Sequence, residues 1–172
     1  MLVKGYKFSF HTDNGVFSKS GLDFGTRSLI EALPQIKGRV LDFGCGYGPI
    51  GIIIKKLYDT EVDMIDINKR SIELSKKNSA LNNVDVNVFE SDIYSNVKGK
   101  YNYIITNPPI RVGKEILYKI LLDAKDYLLP DGELWLVINK DQGAKSLIKT
   151  LGYKYNVKII GRNKGFFVVL CI

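Results

Sequence analysis

The chain has 172 residues, 45% of them hydrophobic and 25% charged, with 25 Lys+Arg against 18 Asp+Glu. This is the composition of one ordinary globular domain, and it excludes a disordered or collagen-like chain. No apolar run reaches the roughly 18–20 residues that a membrane-spanning helix needs, and the first ten residues, MLVKGYKFSF, hold no signal-type apolar stretch. A cytoplasmic location is expected, with no membrane partner. The formal net charge of +7 suits a polyanionic partner.

Residues 1–36 read as an N-terminal extension. It has a strand-like start, a turn at Asp13-Asn14-Gly15 and a helix from about Thr26 to Leu33. From Lys37 onward, strand-like and helix-like segments alternate, the pattern of βαβ units on a parallel sheet. A strand is expected at 39–43, then a helix at 49–58. A second strand at 61–67 leads to a helix at 69–81, capped by Asn68 and carrying Ile72, Leu74 and Leu81 on its apolar side. The alternation of Val84, Val86 and Val88 suggests a strand at 84–89. A strand at 101–106 and a helix over 114–128 follow, then a turn at Pro130-Asp131-Gly132. The remaining elements are a strand at 133–138, a short helix at 142–151, and strands at 153–160 and 166–171 joined by a turn at 161–165. So short a turn makes the final pair an antiparallel hairpin. The expected fold is α/β: a doubly wound, Rossmann-like sheet of seven mostly parallel strands with an antiparallel C-terminal hairpin.

Ligands of such sheets bind beyond the carboxyl ends of the strands, and the informative residues follow strands. Asp42 closes the first core strand before Gly44, Gly46 and Gly48. The stretch Gly46 to Gly51 also fits the GxGxxG pattern of dinucleotide sites. However, a carboxylate just before the glycines suits a cationic aminoacyl group better than a pyrophosphate. That favours S-adenosylmethionine (SAM) over NAD as cofactor. Asp66, after the next strand, can accept both ribose hydroxyls. Asp92 can accept from the adenine amino group, with Ile67 and Ile93 on either side of the ring.

After the fourth core strand comes Asn107-Pro108-Pro109-Ile110. The prolines stiffen the loop. The Asn107 side-chain oxygen and the Pro108 carbonyl then offer two acceptors to the two hydrogens of a planar amino group. Accepting both N–H bonds turns the nitrogen lone pair toward a methyl donor and stabilises the charge that develops there. Asn107, Pro108 and Pro109 are therefore the candidate catalytic residues. A nicotinamide dehydrogenase has no use for this loop, and a SAM-binding module without catalysis has no reason to keep it.

These residues make the chain resemble a class I SAM-dependent methyltransferase of the Asn-Pro-Pro type. The stretch FHTDNGVFSKSGLDFGT, 10–26, further resembles the RsmC-like family of ribosomal RNA small-subunit guanine-N2 methyltransferases, through Gly15, Val16, Phe17, Ser18, Asp23 and Gly25. The resemblance implies that Phe17 folds over the SAM pocket and that Asn107 and Pro108 grip a guanine amino group in RNA. Larger members carry a further N-terminal domain, so docking on ribosomal RNA or a ribosomal subunit must differ here. Ile110 stands where this superclass often has a base-stacking aromatic. Arg111, Lys114, Lys140, Arg162 and Lys164 are expected at the carboxyl edge of the sheet as a phosphate-holding rim, with Ile110, Arg111, Lys114, Arg162 and Lys164 as substrate-binding residues. Phe8, Phe10 and Phe24 read mainly as core, with base stacking as the alternative. Cys45 and Cys171 read as buried thiols and His11 as a loop residue; neither metal nor disulfide is expected. A protein glutamine amide or another nucleic-acid amino group is the alternative acceptor.

Overall fold

The computed structural model describes residues 1–13 and 21–172. Gly15, Val16, Phe17 and Ser18, and with them the expected aromatic cover of the cofactor, lie outside the described residues, as does most of the expected turn at 13–15.

The elements in chain order are β1 (Leu2–Val3), β2 (Tyr6–Lys7), α1 (Phe24–Ala32), β3 (Val40–Phe43), α2 (Pro49–Tyr58), β4 (Val62–Asp66), α3 (Lys69–Leu81), β5 (Asn87–Glu90), β6 (Tyr101–Thr106), α4 (Lys114–Asp123), β7 (Leu128–Asn139), α5 (Ala144–Leu151), β8 (Val157–Asn163) and β9 (Phe166–Cys171). The first two strands form a separate small hairpin. The other seven make one sheet in the order β5-β4-β3-β6-β7-β9-β8. Only β9 runs against its neighbours β7 and β8. The direction of winding changes between β3 and β6, and the crevice of a doubly wound sheet opens there.

Two apolar layers cover the sheet. On one face Leu29 and Ile30 of α1, Ile50 and Ile52–Ile54 of α2 and Ile72 of α3 pack onto Val40, Met64, Ile105, Trp135 and Val137. On the other, Leu117, Ile120 and Leu121 of α4 with Leu147 and Leu151 of α5 pack onto Leu41, Ile104, Leu134 and Leu136. The strict alternation within β3 and β6 puts successive side chains on opposite faces.

The helix limits at 49–58 and 69–81 coincide with those expected, because Pro49 opens α2 and the Asn68 side chain accepts from Arg70 and Ser71 backbone N–H groups at the start of α3. Several expectations are corrected. Val84 and Val86 pack half-buried on the core from an irregular segment, and the strand pairs only from Asn87. The long helix over 114–128 ends at Asp123 and tightens into a 3-10 turn over Ala124–Tyr127. The turn at 130–132 sits inside β7 as a bulge, since Tyr101 opposes Leu128 while Tyr103 opposes Glu133. The final turn is reduced to Lys164-Gly165, both with positive φ (47° and 82°), as a tight hairpin of matching twist requires. Arg162 accordingly lies on β8. Leu81 is exposed; the buried side of α3 is instead rich in Ser71, Ser75, Asn78 and Ser79.

Those polar residues have partners. Asn82 accepts from the Ser9 N–H at 3.1 Å and donates to the Ser9 carbonyl at 2.8 Å. One turn earlier, Asn78 accepts from the His11 N–H at 2.7 Å and donates to its carbonyl at 3.0 Å. Two amides four residues apart on a helix therefore present the hydrogen-bonding edge of a strand to residues 9–11. Arg70 extends the line to Asp13 at 2.7 Å. Phe8 is buried in the core and Phe10 packs edge-on against Tyr47.

Candidate active site

The loop after β3 is held from below and left open above. Cys45 N–H donates to Ile65, Ser75 Oγ donates to the Gly46 carbonyl at 2.7 Å, and Asn78 Nδ2 donates to the Tyr47 carbonyl at 2.8 Å. Gly44 and Gly46 have φ of 68° and 58°, and a Cβ added at either meets nothing within 4 Å. Their backbone therefore borders free space that a ligand can approach closely. Gly48 packs tightly instead: a Cβ there lies 2.8 Å from Ile52 Cδ1 and 3.0 Å from Met64 Cε.

Asp42 lies beneath this loop, wholly buried. Its Oδ2 accepts from the Gly51 N–H at 2.9 Å, and its Oδ1 is buried without a partner. Burial pushes its pKa up to about 7; the Gly51 hydrogen bond opposes the rise and the nearby Asp66 charge adds to it. Holding a proton relieves the cost of burying this carboxyl, and a cation placed against it would favour the charged form instead.

Asp66, at the end of β4, is half-buried. Its Oδ2 accepts from Gly46 N–H and its Oδ1 from Asn68 N–H, both at 2.9 Å. Each oxygen has a second lone pair for an incoming hydroxyl. The next residue, Ile67, is 63% exposed although large and apolar. Beyond β5, Ser91 is buried and bonds to the Ile93 carbonyl and the Asn96 N–H, which fixes a tight turn. Asp92 is exposed on this turn, and Ile93 is half-buried with φ of 54°. The structure thus gathers Asp66, Ile67, Asp92 and Ile93 at the carboxyl ends of two adjacent strands.

The loop after β6 begins with buried Thr106, whose Oγ1 donates to the Phe43 carbonyl at 2.8 Å and ties it to the glycine loop's strand. Asn107 is half-buried, and its Nδ2 donates to Thr26 Oγ1 at 3.0 Å. Thr26, 3% exposed, lies in the first turn of α1, which begins at Phe24, two residues before the expected start, and its N–H donates to the Asp23 cap. With the amide nitrogen engaged, Oδ1 is the atom free to accept. Pro108 is buried, Pro109 is half-buried, and a 3-10 turn over Ile110–Val112 leads into α4.

Of the five basic residues, Arg111, Lys114, Lys140 and Lys164 follow the carboxyl ends of strands, and Arg162 lies within the last two residues of β8. Arg111 and Lys114 are exposed near the start of α4. Lys140 follows β7, and its N–H donates to the Gly165 carbonyl at 2.8 Å. Lys164 Nζ sits 4.9 Å from the centre of the Phe24 ring, and Arg162 lies 5.4 Å from that of Phe167. Phe24 meets Phe166 at 5.8 Å, and Phe166 also packs against Gly25, next to Thr26. Asn107 is thereby joined through Thr26 and Gly25 to an aromatic pair with a lysine beside it.

Three site residues escape sequence reading. Thr26 reads there only as the start of a helix, Phe166 as a strand residue, and Asn78 as a polar position on a helix surface. The available signals were the Asp23 cap, which fixes where α1 begins, and the Asn78/Asn82 spacing of four. Cys45 and Cys171 are both buried as free thiols. Among the described residues no group of three His, Cys, Asp or Glu side chains could hold a metal ion, and no helix is long and apolar enough to cross a membrane.

The sequence pattern of the family described as the methyltransferase small domain matches residues 7–170. YbxB of Bacillus subtilis (strain 168) is 41% identical over 174 residues, covering 97% of this chain and 87% of that protein. Ribosomal RNA small subunit methyltransferase C of Photobacterium profundum is 38% identical over 142 residues, covering 80% of this chain but only 42% of that protein. The chain therefore matches less than half the length of relatives bearing that name. The structure of the T. thermophilus 16S rRNA N2 methyltransferase RsmC, in complex with AdoMet and guanosine, superposes with a TM-score of 0.87 at 24% identity, over 98% of this chain and 48% of that one. That likeness is one of fold, and the fold is the class I methyltransferase sheet. With the sequence pattern spanning nearly the whole chain, this protein belongs to the methyltransferase small domain family.

Proposed function

We propose that the chain is a SAM-dependent N-methyltransferase whose acceptor is the exocyclic amine of a guanine in small-subunit ribosomal RNA. The observation that carries the reading is the Asn107 amide, held through its nitrogen by Thr26 so that its oxygen is left to accept. The names of the relatives support the choice of acceptor, and the basic rim supports an RNA partner.

The residues present fit SAM. Open space fronts Gly44 and Gly46, and a cation placed against the unpartnered Asp42 Oδ1 beneath them would favour its charged form. In this reading Asp42, Gly44, Gly46 and Gly48 hold the aminoacyl end. Asp66 takes the ribose hydroxyls, and Ile67, Asp92 and Ile93 take the adenine. When bound, SAM supplies an electrophilic methyl group on a sulfonium. Asn107 Oδ1 and the Pro108 carbonyl accept the two N–H bonds of the guanine amine, fix its orientation and stabilise its growing charge. Pro109 keeps the loop from relaxing. Arg111, Lys114, Arg162 and Lys164 hold backbone phosphates while Ile110 borders the base. The base must be unpaired or turned out of its helix to reach this loop.

The test is transfer of tritiated methyl from SAM to stripped small ribosomal subunits, naked ribosomal RNA and a glutamine-bearing release factor, with the labelled RNA digested to nucleosides. Label in N2-methylguanosine is the expected result. Label confined to the protein, or to another nucleoside, would replace guanine as the acceptor.

A further inference from the structure

Beside the loop that carries Asn107, a groove of about 250 Å³ opens between the first turns of α4 and α5. Ile110 forms one wall, so the groove begins where the acceptor loop ends. Leu117 and Tyr118 of α4 line its apolar side, and Lys114, Gln142 and Ser146 its polar side. The Tyr118 hydroxyl donates to Ser146 Oγ at 2.9 Å and ties the two helices together. Lys114 Nζ stands 5.3 Å from the centre of the Tyr118 ring. Arg111, Glu115, Asp141 and Lys145, at neighbouring positions along the chain, are all exposed.

We infer that this groove receives the ribonucleotide next to the methylated guanosine. The inference rests on the RNA reading above and adds a second base-binding position to it. The size is that of one nucleoside and below the usual range for a whole cofactor. An aromatic face, an amide and a cation are the groups that stack on a base, read its edge and hold its phosphate. Continuity through Ile110 puts the groove beside the acceptor loop, where a neighbouring nucleotide would lie. It also gives an aliphatic residue after Pro109 a use: Ile110 separates two neighbouring bases without stacking on either. The phosphate backbone then crosses the sheet edge from Lys164 past Asn107 to Lys114.

The experiment uses short uridine tracts with one central guanosine and an abasic nucleotide on its 5′ or its 3′ side. Binding is followed by fluorescence anisotropy with S-adenosylhomocysteine present. One of the two abasic positions should weaken binding to the parent protein about tenfold, as loss of one stacked base does. Tyr118→Ala should bind the intact RNA about tenfold less tightly and lose the difference between intact and abasic RNA. Tyr118→Phe, which keeps the ring, should restore it. Equal responses of parent and Tyr118→Ala to both abasic positions would overturn the groove while leaving the acceptor reading intact. A parent protein that neither prefers guanosine tracts to plain uridine nor methylates RNA would overturn the acceptor reading and the groove with it.

Discussion

Asn107 and Thr26 are 81 positions apart in sequence and 3.0 Å apart in space: the asparagine amide nitrogen donates to the threonine hydroxyl, which leaves the amide oxygen on the other side. An amide free to rotate would present its nitrogen half of the time, and an N–H cannot accept from an amine. Asn107→Ala should lower kcat on the order of 10²-fold or more, with SAM affinity unchanged by calorimetry. Thr26→Val keeps the shape and removes only the partner, so it should lower kcat by roughly tenfold, a cost near 1.4 kcal/mol. A Thr26→Val enzyme with unaltered kcat would show that the amide is oriented by something else.

Asp42 makes stability depend on pH. Its carboxyl is raised from 3.8 to about 7 by burial, so the folded chain holds a proton that the unfolded chain has lost. The stability due to this group is complete below about pH 4 and is lost as pH rises through about 7. Asp42→Asn keeps an acceptor for the Gly51 N–H and cannot ionise. Its melting temperature should gain on the parent's as pH rises from 4 to 8, and a constant gap would remove Asp42 as the cause. A cation bound beside Asp42 favours the carboxylate, so SAM binding at pH 6 should release a proton. Calorimetry in two buffers of different ionisation enthalpy reads this directly.

Asp66 is bound twice by the backbone and still has capacity for a ligand. Asp66→Ala removes charged acceptors worth about 1.5–3 kcal/mol each. SAM affinity should fall by more than about tenfold, with kcat at saturating SAM far less affected. Equal affinity for parent and variant would remove Asp66 from the cofactor site.

Asn78 is fully buried and makes three hydrogen bonds, two to His11 and one to Tyr47. Asn78→Leu removes the side-chain partner of the His11 N–H and carbonyl, at about 1–3 kcal/mol for each one stranded. For a domain of this length that lowers the melting temperature by roughly 2–4 °C per kcal/mol. The same change should also weaken SAM binding, because the Tyr47 carbonyl belongs to the glycine loop. A stability loss with intact SAM affinity would confine Asn78 to holding the N-terminal segment.

Arg162 and Lys164 lie just before Gly165, whose carbonyl accepts from the Lys140 N–H at the sheet edge. Converting both to Gln should reduce the slope of log affinity against log salt for single-stranded RNA by about 0.7 per lost phosphate contact. The effect should be similar for every RNA sequence. An unchanged slope would mean that the two charges are simply solvated.

How much of this could be read beforehand depends on the distance over which each feature is decided. The limits of α2 and α3 are set locally, by Pro49 and Asn68, and they coincide with the expectation. The topology follows from the alternation of elements and the shortness of the last turn. What misled was periodicity without tertiary context. Val84 and Val86 alternate like a strand, yet the ladder with β4 begins only at Asn87, and the Val84 N–H turns back to the Ser79 carbonyl. Leu81 fits a helical stripe, but the groups α3 must face are the polar backbones of residues 9–11 and the glycine loop, so Asn78 and Asn82 take the inner side. In the site, the order of acids and glycines was legible because each follows its own strand. The Thr26–Asn107 bond and the complete burial of Asp42 were not, because each needs two distant segments to be brought together.

The reversed strand β9 separates β8 from the rest of the sheet, since β8 pairs with β9 and not with β7. Residues 166–171 are therefore a keystone: without them the inner edge of β7, carrying Trp135 and Val137, has nothing to pair with. A nascent chain that has emerged only as far as Asn163 already contains the glycine loop, Asp66 and Asn107. It presents them on an unfinished sheet with a bare apolar margin, prone to associate with other chains. Translational pausing or premature termination just ahead of Phe166 should accordingly produce aggregates and chaperone-bound species, not a weakened enzyme.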